Sequence, residues 1–222
     1  MNWADAGFTV FGTHVLWTDL IGNIAALSTV LLAMRKSMWT WPVQFAGSVL
    51  LFIASINAHI TGNALKQAMF GILALYGWWA WRRGTQGGKQ LAIRPADWWE
   101  RLLLIAALVA GTLLVGLLFW VTKLSWGAQV PLPKGAFLVA ADAYIFVGSA
   151  IATWAQGRAL VDFWMVWVAV DLVGVPLAFS SGLVVSGWVY GVFFVLVVVG
   201  FVKWLREYRA GTAAAPQVAV AQ

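Results

Sequence analysis

Seven long apolar segments run through the sequence of 222 residues, and they constrain the fold more than any other feature. A helix needs about 20 mainly apolar residues to cross a bilayer, and most of the segments come close to that length. The composition agrees, because 62% of the residues are hydrophobic and only 10% are charged, whereas a soluble domain has about 25% charged residues. We therefore predict an all-α polytopic membrane protein with seven transmembrane helices. The predicted spans are Asp19–Met34, Trp39–Asn57, Ala64–Trp81, Trp99–Val121, Phe137–Ala155, Phe163–Phe179 and Leu183–Trp204.

The residue types that build metal and nucleophilic sites are scarce. The chain has no Cys, which excludes disulfides, thiol catalysis and thiolate metal ligands. Two histidines are too few for a histidine-based metal cluster. The segment Gly84–Gln90 lacks the glycine spacing and the final Ser or Thr of a phosphate-binding loop. We therefore predict no catalytic residue, no metal and no cofactor, and we expect that the protein is not an enzyme.

The basic residues lie mostly on one side of the predicted spans. With the N-terminus outside, eleven Lys and Arg residues fall inside, and only Lys66, Lys123 and Lys134 fall outside. Cytoplasmic loops of membrane proteins carry such an excess, so we expect an outer N-terminus and a cytoplasmic C-terminus. The net charge of +6 then lies beside anionic membrane lipid. We predict no nucleic-acid binding, because the loops are too short for a continuous basic surface.

The predicted spans divide the chain into seven regions. The segment Gly84–Trp98 is rich in Gly and Gln and predicts a flexible cytoplasmic linker, and the Ala-rich tail after Arg209 predicts disorder. The regions are an outer interfacial segment (1–17), a first three-helix bundle (18–81), the cytoplasmic linker (82–98), a connector helix (99–121), an outer loop (122–136), a second three-helix bundle (137–205) and a cytoplasmic tail (206–222).

The two three-helix bundles resemble each other in sequence. Sliding the first bundle onto the second by 126 residues aligns Trp41 with Trp167 and Trp78 with Trp204, together with several small residues. The alternative is chance matching of two Trp-rich halves. If the repeat is real, the connector helix restores the chain direction, so that the two bundles are parallel. This 3+1+3 arrangement, like that of the SWEET sugar transporters, places a site between the repeats.

One acidic residue lies well inside a predicted span. Asp171 shares a helix face with Trp164 and Trp167, at spacings of seven and four residues. Ionisable residues within a membrane are costly and are commonly functional. Two indoles beside a carboxylate suit a flat ligand that donates hydrogen bonds. The alternatives are that the tryptophans are interfacial anchors and that Asp171 pairs with a polar residue on another helix.

Further polar residues recur at helical spacing in the other spans of the two bundles. Each alone is more often a contact between helices than a ligand contact. Together they indicate a polar cavity between the bundles, because the connector helix has no such residue. The candidates are Asn23, Trp41, Gln44, Gln67, Asp142 and Ser149, beside Trp164, Trp167 and Asp171.

A light-sensitive seven-helix pigment is an alternative from another class. Such a protein needs a Lys in the last span for a retinal Schiff base. The last predicted span carries only Lys203, at its cytoplasmic end next to Trp204. That position is poorly suited to a buried Schiff base, so a retinal-type photoreceptor or pump is a remote alternative.

Several tracts of the sequence resemble the PnuC family of bacterial vitamin transporters. The resemblance covers nearly all of residues 17–208, and it is strongest for the riboflavin-transporting branch. The nicotinamide riboside branch typically carries Asn at the position of Asp171, which disfavours that substrate here. The tracts are Trp41–Gln44, Tyr76–Trp81, Asp142–Ser149 and Phe163–Pro176, which includes Trp164-x-x-Trp167.

The resemblance implies both a function and an assembly. It implies uptake of riboflavin by facilitated diffusion across the bacterial cytoplasmic membrane, with trapping by a cytoplasmic flavin kinase that does not bind stably. It also implies a homotrimer. Nicotinamide riboside and thiamine are the alternative substrates, because both are cationic and suit Asp171.

Overall fold

The computed structural model describes residues 6–10, 13–57, 61–85, 91–180 and 184–214. Within these residues it contains one short hairpin, seven α-helices and a single turn of 3-10 helix at Trp126–Gln129. The hairpin strands are β1 (Gly7–Val10) and β2 (Thr13–Leu16). The helices are α1 (Trp17–Met34), α2 (Thr40–Asn57), α3 (Thr61–Gly84), α4 (Trp98–Thr122), α5 (Lys134–Gly157), α6 (Phe163–Ser180) and α7 (Val184–Ala214).

Five helices, α1, α2, α4, α5 and α7, are long and apolar enough to cross a membrane by themselves. The other two fall short for different reasons. α3 carries Lys66, Arg82 and Arg83, and the apolar stretch of α6 extends only over Phe163–Phe179. Both lie between spanning helices in the bundle, so the prediction of seven membrane helices is confirmed.

Contacts between helices close six of them into a ring. The order around the ring is α1, α2, α3, α5, α6 and α7, and α7 contacts α1 again. The first triplet, α1–α3, therefore meets the second, α5–α7, at two equivalent junctions. These junctions are α3 with α5 and α7 with α1.

The two ends of the ring differ in charge. One end carries ten basic residues in the described part of the chain and is called the basic end; the other is called the hairpin end because β1 and β2 lie there. The residues that define the basic end are Arg35, Lys36, Arg82, Arg83, Arg94, Arg101, Arg158, Lys203, Arg206 and Arg209.

Helix α4 lies outside the ring, against α5. A close approach is possible because Gly111 faces Val147, whose Cγ1 would lie 2.8 Å from a Cβ at that position. The opposite face of α4 is apolar and exposed, as at Leu103, Leu113 and Leu117, which suits contact with lipid. α4 is thus the predicted connector, and the 3+1+3 arrangement is confirmed.

The repeat is real, but its register is 123 residues and not the predicted 126. Thr40, which begins α2, corresponds to Phe163, which begins α6, and α3 and α7 begin at Thr61 and Val184 with the same offset. The predicted pairing of Trp78 with Trp204 is wrong, because Trp78 is 43% exposed and Trp204 is fully buried. A slip of three residues is close to one helical turn, so it preserves most matches between small and apolar residues.

Side chains and backbone repeat their geometry at this register. The Trp81 indole Nε1 donates to the Gln156 carbonyl at 2.8 Å, and the Trp204 indole Nε1 donates to the Ala33 carbonyl at 3.2 Å. Both the donors and the acceptors are 123 residues apart. Each triplet therefore donates one hydrogen bond to the other. A two-fold axis through the centre of the ring, parallel to the helices, requires this arrangement.

The turns between the paired helices also repeat. Lys36 follows α1 with φ 53°, and Ala159 follows α5 with φ 54°. Left-handed backbone at a non-glycine residue is uncommon, so its occurrence at equivalent positions supports a common origin of the two turns.

The segment 91–97 is fastened to the second triplet, which corrects the prediction of a flexible linker. Arg94 exchanges two backbone hydrogen bonds with the α5–α6 turn, to the Ala159 carbonyl and from the Val161 amide. The Ala96 amide donates to the Asp162 carboxylate at 2.6 Å. Residues 86–90 of the predicted linker lie outside the described residues.

The ends of several elements also differ from prediction. The segment expected to lie at the interface contains β1 and β2, and the Phe8 and Trp17 rings, tilted to each other with centroids 4.7 Å apart, join them to α1. α7 continues to Ala214, so the predicted disorder after Arg209 is wrong up to that residue. Residues 215–222 lie outside the described part.

Candidate functional site

An aromatic cluster fills the interior of the ring at the basic end. It consists of Trp41, Trp81, Phe163, Trp164 and Trp204, all at most 1% exposed. Trp41 meets Trp81 edge to face with ring centroids 5.1 Å apart, and Trp164 meets Trp204 in the same way at 5.9 Å. Trp81 and Trp204, from opposite triplets, lie 6.4 Å apart. The cluster therefore closes this end of the ring.

Two glycines make room for the cluster. A Cβ at Gly77 would overlap the ring of Trp41, and a Cβ at Gly200 would lie 2.5 Å from the Trp164 ring. Gly77 and Gly200 are again 123 residues apart. The pattern Gly-x-x-x-Trp, preceded 36 residues earlier by Trp, thus builds each half of the cluster.

Hydrogen bonding divides the four tryptophans into two kinds. Trp81 and Trp204 donate to backbone carbonyls. Among the described residues, the buried Nε1 atoms of Trp41 and Trp164 have no acceptor. An unpaired buried donor costs roughly 1–3 kcal/mol, so this closed arrangement is less stable than complete pairing would make it.

Trp167 lies next to the cluster on the side of the hairpin end. It is partly buried and packs against the cluster, and its ring centroid is 6.3 Å from that of Phe70 on α3. Since α3 and α6 belong to different triplets, this pair reaches from one repeat to the other. An aromatic pair that links the two triplets therefore lies beyond the closed end.

Asp171 follows Trp167 by one helical turn. Its carboxylate is partly buried, and Oδ2 is inaccessible to solvent and has no hydrogen-bond partner among the described residues. The equivalent residue of the first triplet is Ser48, whose hydroxyl donates to the Phe45 carbonyl at 2.8 Å. Asp171 is therefore an acceptor that the described protein leaves free, next to an aromatic surface.

Two of the predicted polar residues are engaged locally. The Asn23 amide donates to the Asp19 carbonyl at 2.9 Å and to its carboxylate at 3.1 Å. The Asp142 carboxylate accepts a hydrogen bond from the Ser125 hydroxyl. Both residues stay predicted ligand contacts, but binding through these atoms competes with existing bonds.

The remaining predicted residues fall into two groups. Trp41 and Trp164 lie inside the closed cluster, and they contact a ligand only if the cluster opens. Gln44 is partly buried, whereas Gln67 is 7% and Ser149 2% exposed. At the register of 123, Gln44 is the counterpart of Trp167. The structure thus brings Trp167 and Asp171 together on one surface.

Sequence reasoning missed Phe70, Gly77, Trp81, Gly200 and the packing role of Trp204. The spacing of Trp, Gly and Trp is present twice in the sequence and would have identified four of them at the register of 123. Phe70 has no sequence signal, because its partner Trp167 belongs to the other triplet.

Parallel three-helix repeats in one chain occur among membrane transporters, whose substrate sites lie at the interface between the repeats. A family model described as "Nicotinamide mononucleotide transporter" matches residues 16–206. The chain belongs to this family, the PnuC family of membrane transporters. Its relatives are transporters and not enzymes, as the sequence predicts.

Similar proteins cover nearly the whole chain. The riboflavin/roseoflavin transporter RibM of Streptomyces davaonensis is 45% identical over 214 residues, which are 94% of this chain and 95% of RibM. The nicotinamide riboside transporter PnuC of Escherichia coli (strain K12) is 24% identical over 216 residues, 89% of each chain. A crystal structure of the vitamin B3 transporter PnuC matches with a TM-score of 0.65 and 16% identity, over 87% of this chain and 83% of that chain. At this identity the structural match supports the fold alone.

Proposed function

We propose that the protein takes up riboflavin and related flavins by facilitated diffusion. The observation that carries this proposal is the 45% identity with the riboflavin/roseoflavin transporter over 94% of the chain. Identity of this extent favours a shared substrate class over the more distant nicotinamide riboside transporter, which is 24% identical.

The site supports a flat, mainly neutral ligand. An isoalloxazine ring offers a large face to Trp167 and Phe70, and aromatic pairs contribute about 0.5–1.5 kcal/mol beyond buried area. The free carboxylate oxygen of Asp171 accepts a hydrogen bond from the ring or from a ribityl hydroxyl. Gln44, with both a donor and an acceptor, is the counterpart position on the other triplet.

Charge supports an orientation in the membrane. Positive residues accumulate on the cytoplasmic side of membrane proteins, so we propose that the basic end faces the cytoplasm, with β1, β2 and the outer loop outside and the C-terminus inside. In this orientation the aromatic cluster closes the cytoplasmic side. Release of the vitamin therefore requires separation of the cluster, and phosphorylation by a cytoplasmic kinase then prevents its return.

Nicotinamide riboside is the second candidate substrate. The family model that matches the chain carries the name of a nicotinamide compound, and the unpartnered carboxylate of Asp171 suits its cationic ring. Thiamine is cationic as well. In either case Asp171 pairs with the positive charge, and the desolvated pair depends strongly on the carboxylate.

A titration of the purified protein distinguishes these substrates. Calorimetry with riboflavin, thiamine and nicotinamide riboside should show the tightest binding for riboflavin. The absence of riboflavin binding, together with tight binding of either cation, would overturn the flavin assignment.

The variant Asp171→Asn tests the site in the same assay. It keeps one acceptor but loses the charge, so riboflavin affinity should fall about 5–30-fold, equivalent to about 1–2 kcal/mol. Thermal unfolding of the same samples is the control. A lower melting temperature with unchanged affinity would remove Asp171 from the site.

The assembly is part of the same proposal. The resemblance implies a homotrimer in the bacterial cytoplasmic membrane. Mass photometry of the protein in detergent should then give three chains of 24.2 kDa in one particle, and a monomeric particle would contradict it.

A further inference from the structure

A recess lies on the surface of the basic end, away from the aromatic cluster. Its volume is about 370 Å³, and it lies at the junction where α3 of the first triplet meets α5 of the second. Tyr76, Trp79 and Arg83 of α3 form one wall, and Gly157 and Arg158 form the other. Leu91 and Ala92 close it on the third side.

The recess is positively charged. Among the described residues, its lining includes Arg83 and Arg158 and no acidic side chain. Arg158 contacts one carboxylate nearby, that of Glu100, at 3.2 Å. That carboxylate already accepts two shorter hydrogen bonds from Arg94, at 2.5 and 2.6 Å. Hydrogen bonding to Glu100 raises the pKa of the Arg94 guanidinium. Arg94 and Arg158 thus share the Glu100 carboxylate, and Arg158 holds the longer of the contacts.

The walls hold the two arginines in place before any ligand binds. The Arg83 guanidinium lies over the Trp79 ring at 3.9 Å from its centroid, and that of Arg158 lies over Trp154 at 5.2 Å. Tyr76 packs directly on the backbone of α5, because Gly157 has no Cβ; one there would lie 2.7 Å from the Tyr76 ring. Among the described residues Arg83 forms no ion pair, so its donors face the recess or solvent.

The position of the recess matches the level of lipid headgroups. Trp79 is 52% exposed at the end of a membrane helix that terminates in two arginines, which is typical of the membrane–water interface. Basic pockets between transmembrane helices bind anionic headgroups, and guanidinium groups match phosphate geometry by two parallel hydrogen bonds.

We propose that this recess binds the phosphate headgroup of an anionic phospholipid, held by Arg83 and Arg158. Such a lipid bridges the two triplets next to the hydrogen bond from Trp81 to Gln156. It therefore stabilises the closed basic end, whatever the transported substrate is.

The test uses the full chain, stripped of lipid in detergent. Phosphatidylglycerol, phosphatidylcholine with the same acyl chains, and soluble glycerol 3-phosphate are titrated separately, with melting temperature and native mass spectrometry as readouts. The variant Arg83→Gln removes a lining charge, and Arg82→Gln is the matched control, since Arg82 does not line the recess.

We expect phosphatidylglycerol alone to raise the melting temperature and to remain bound in the mass spectrum. Arg83→Gln should weaken this binding about tenfold, as loss of a charge-assisted hydrogen bond predicts, and Arg82→Gln should not. Equal binding by the two variants would overturn the site, and so would equal protection by phosphatidylcholine. Protection by glycerol 3-phosphate at the same concentration would overturn the lipid as its ligand. If Arg83→Gln does not fold, Arg158→Gln is judged by the same criteria.

Discussion

At the scale of single residues, the four buried tryptophans of the aromatic cluster divide into two functional kinds. The indole donors of Trp81 and Trp204 have carbonyl partners in the opposite triplet. The indole donors of Trp41 and Trp164 have no partner among the described residues. The first kind stabilises the closed end. The second kind gains a hydrogen bond when a polar ligand or water reaches it, so it favours opening.

Phenylalanine substitutions at the two kinds of tryptophan should therefore lower stability to different extents. Trp204→Phe removes a paired donor. The free energy of unfolding should fall by about 0.5–1.5 kcal/mol for the lost hydrogen bond, and further because the smaller ring packs less well. Trp164→Phe removes an unpaired donor, so its packing loss is offset by the removal of a desolvation cost of about 1–3 kcal/mol.

Chemical unfolding of the two variants and of the unchanged protein gives the comparison. Both substitutions lose the same atoms, so each variant serves as the packing control for the other. A Trp164→Phe protein as unstable as Trp204→Phe would show that the indole of Trp164 has a partner.

The sequence predicts which helix face a residue lies on better than it predicts which residues of other helices it contacts. The intramembrane position of Asp171 and its helix face with Trp167 follow from spacing alone. The burial of Trp164 under Gly200 does not, because it depends on which neighbouring helix offers a gap. The slip from 123 to 126 residues has the same origin, since periodicity fixes a helix face but not the turn along it.

At the scale of elements, the two equivalent turns at the basic end are fastened unequally. The α5–α6 turn is held by segment 91–97 through backbone bonds and Asp162, which also accepts from Arg101 at 2.9 Å. The α1–α2 turn is held instead by α7, through the Lys36–Glu207 ion pair at 2.7 Å. A partly exposed ion pair contributes little, so the first turn is the more easily displaced.

Hydrogen exchange at equivalent amides should record this difference. The Val161 amide donates to the Arg94 carbonyl at 2.8 Å, while the equivalent Met38 amide has no acceptor among the described residues. We expect the Met38 amide to exchange at least about tenfold faster, because exchange follows the free energy of local opening. Equal protection of the two amides, measured by mass spectrometry on the detergent-solubilised protein, would contradict the inequality.

The fastened segment also marks the limit of prediction at this scale. Apolar length fixes the helices, and a capping box at Asp97 and Glu100 starts α4. Composition rich in Gly and Gln argued for a flexible linker, but the bonds that fasten 91–97 to the α5–α6 turn are with residues more than sixty positions later. Composition cannot report such contacts.

At the scale of the whole molecule, a ring of membrane helices with the carboxylate of Asp171 inside one span raises the question of driving force. The sequence has no nucleotide-binding motif, and we predict downhill transport. The competing mechanism is proton coupling through Asp171, because intramembrane acids often carry protons.

Uptake of labelled riboflavin into proteoliposomes, with and without a pH gradient, distinguishes the two mechanisms. Facilitated diffusion should equalise the concentrations inside and outside and should be unaffected by a protonophore. Empty liposomes control for leak. Accumulation above the external concentration that a protonophore abolishes would establish coupling.

Trp81 and Trp204 donate hydrogen bonds in opposite directions. Each triplet therefore supplies one indole donor and one carbonyl acceptor to the other triplet. The chain is in this sense a covalent dimer of two triplets. Because α4 crosses the membrane between them, both triplets can have the same direction within one polypeptide. Two identical chains would carry identical residues around the axis. A fused pair is free to diverge, and it has done so beside the aromatic cluster, where Gln44 corresponds to Trp167 and Ser48 corresponds to Asp171. A molecule with a flat ring at one end and hydroxyls at the other needs a site with two different halves, and fusion is what makes such a site possible.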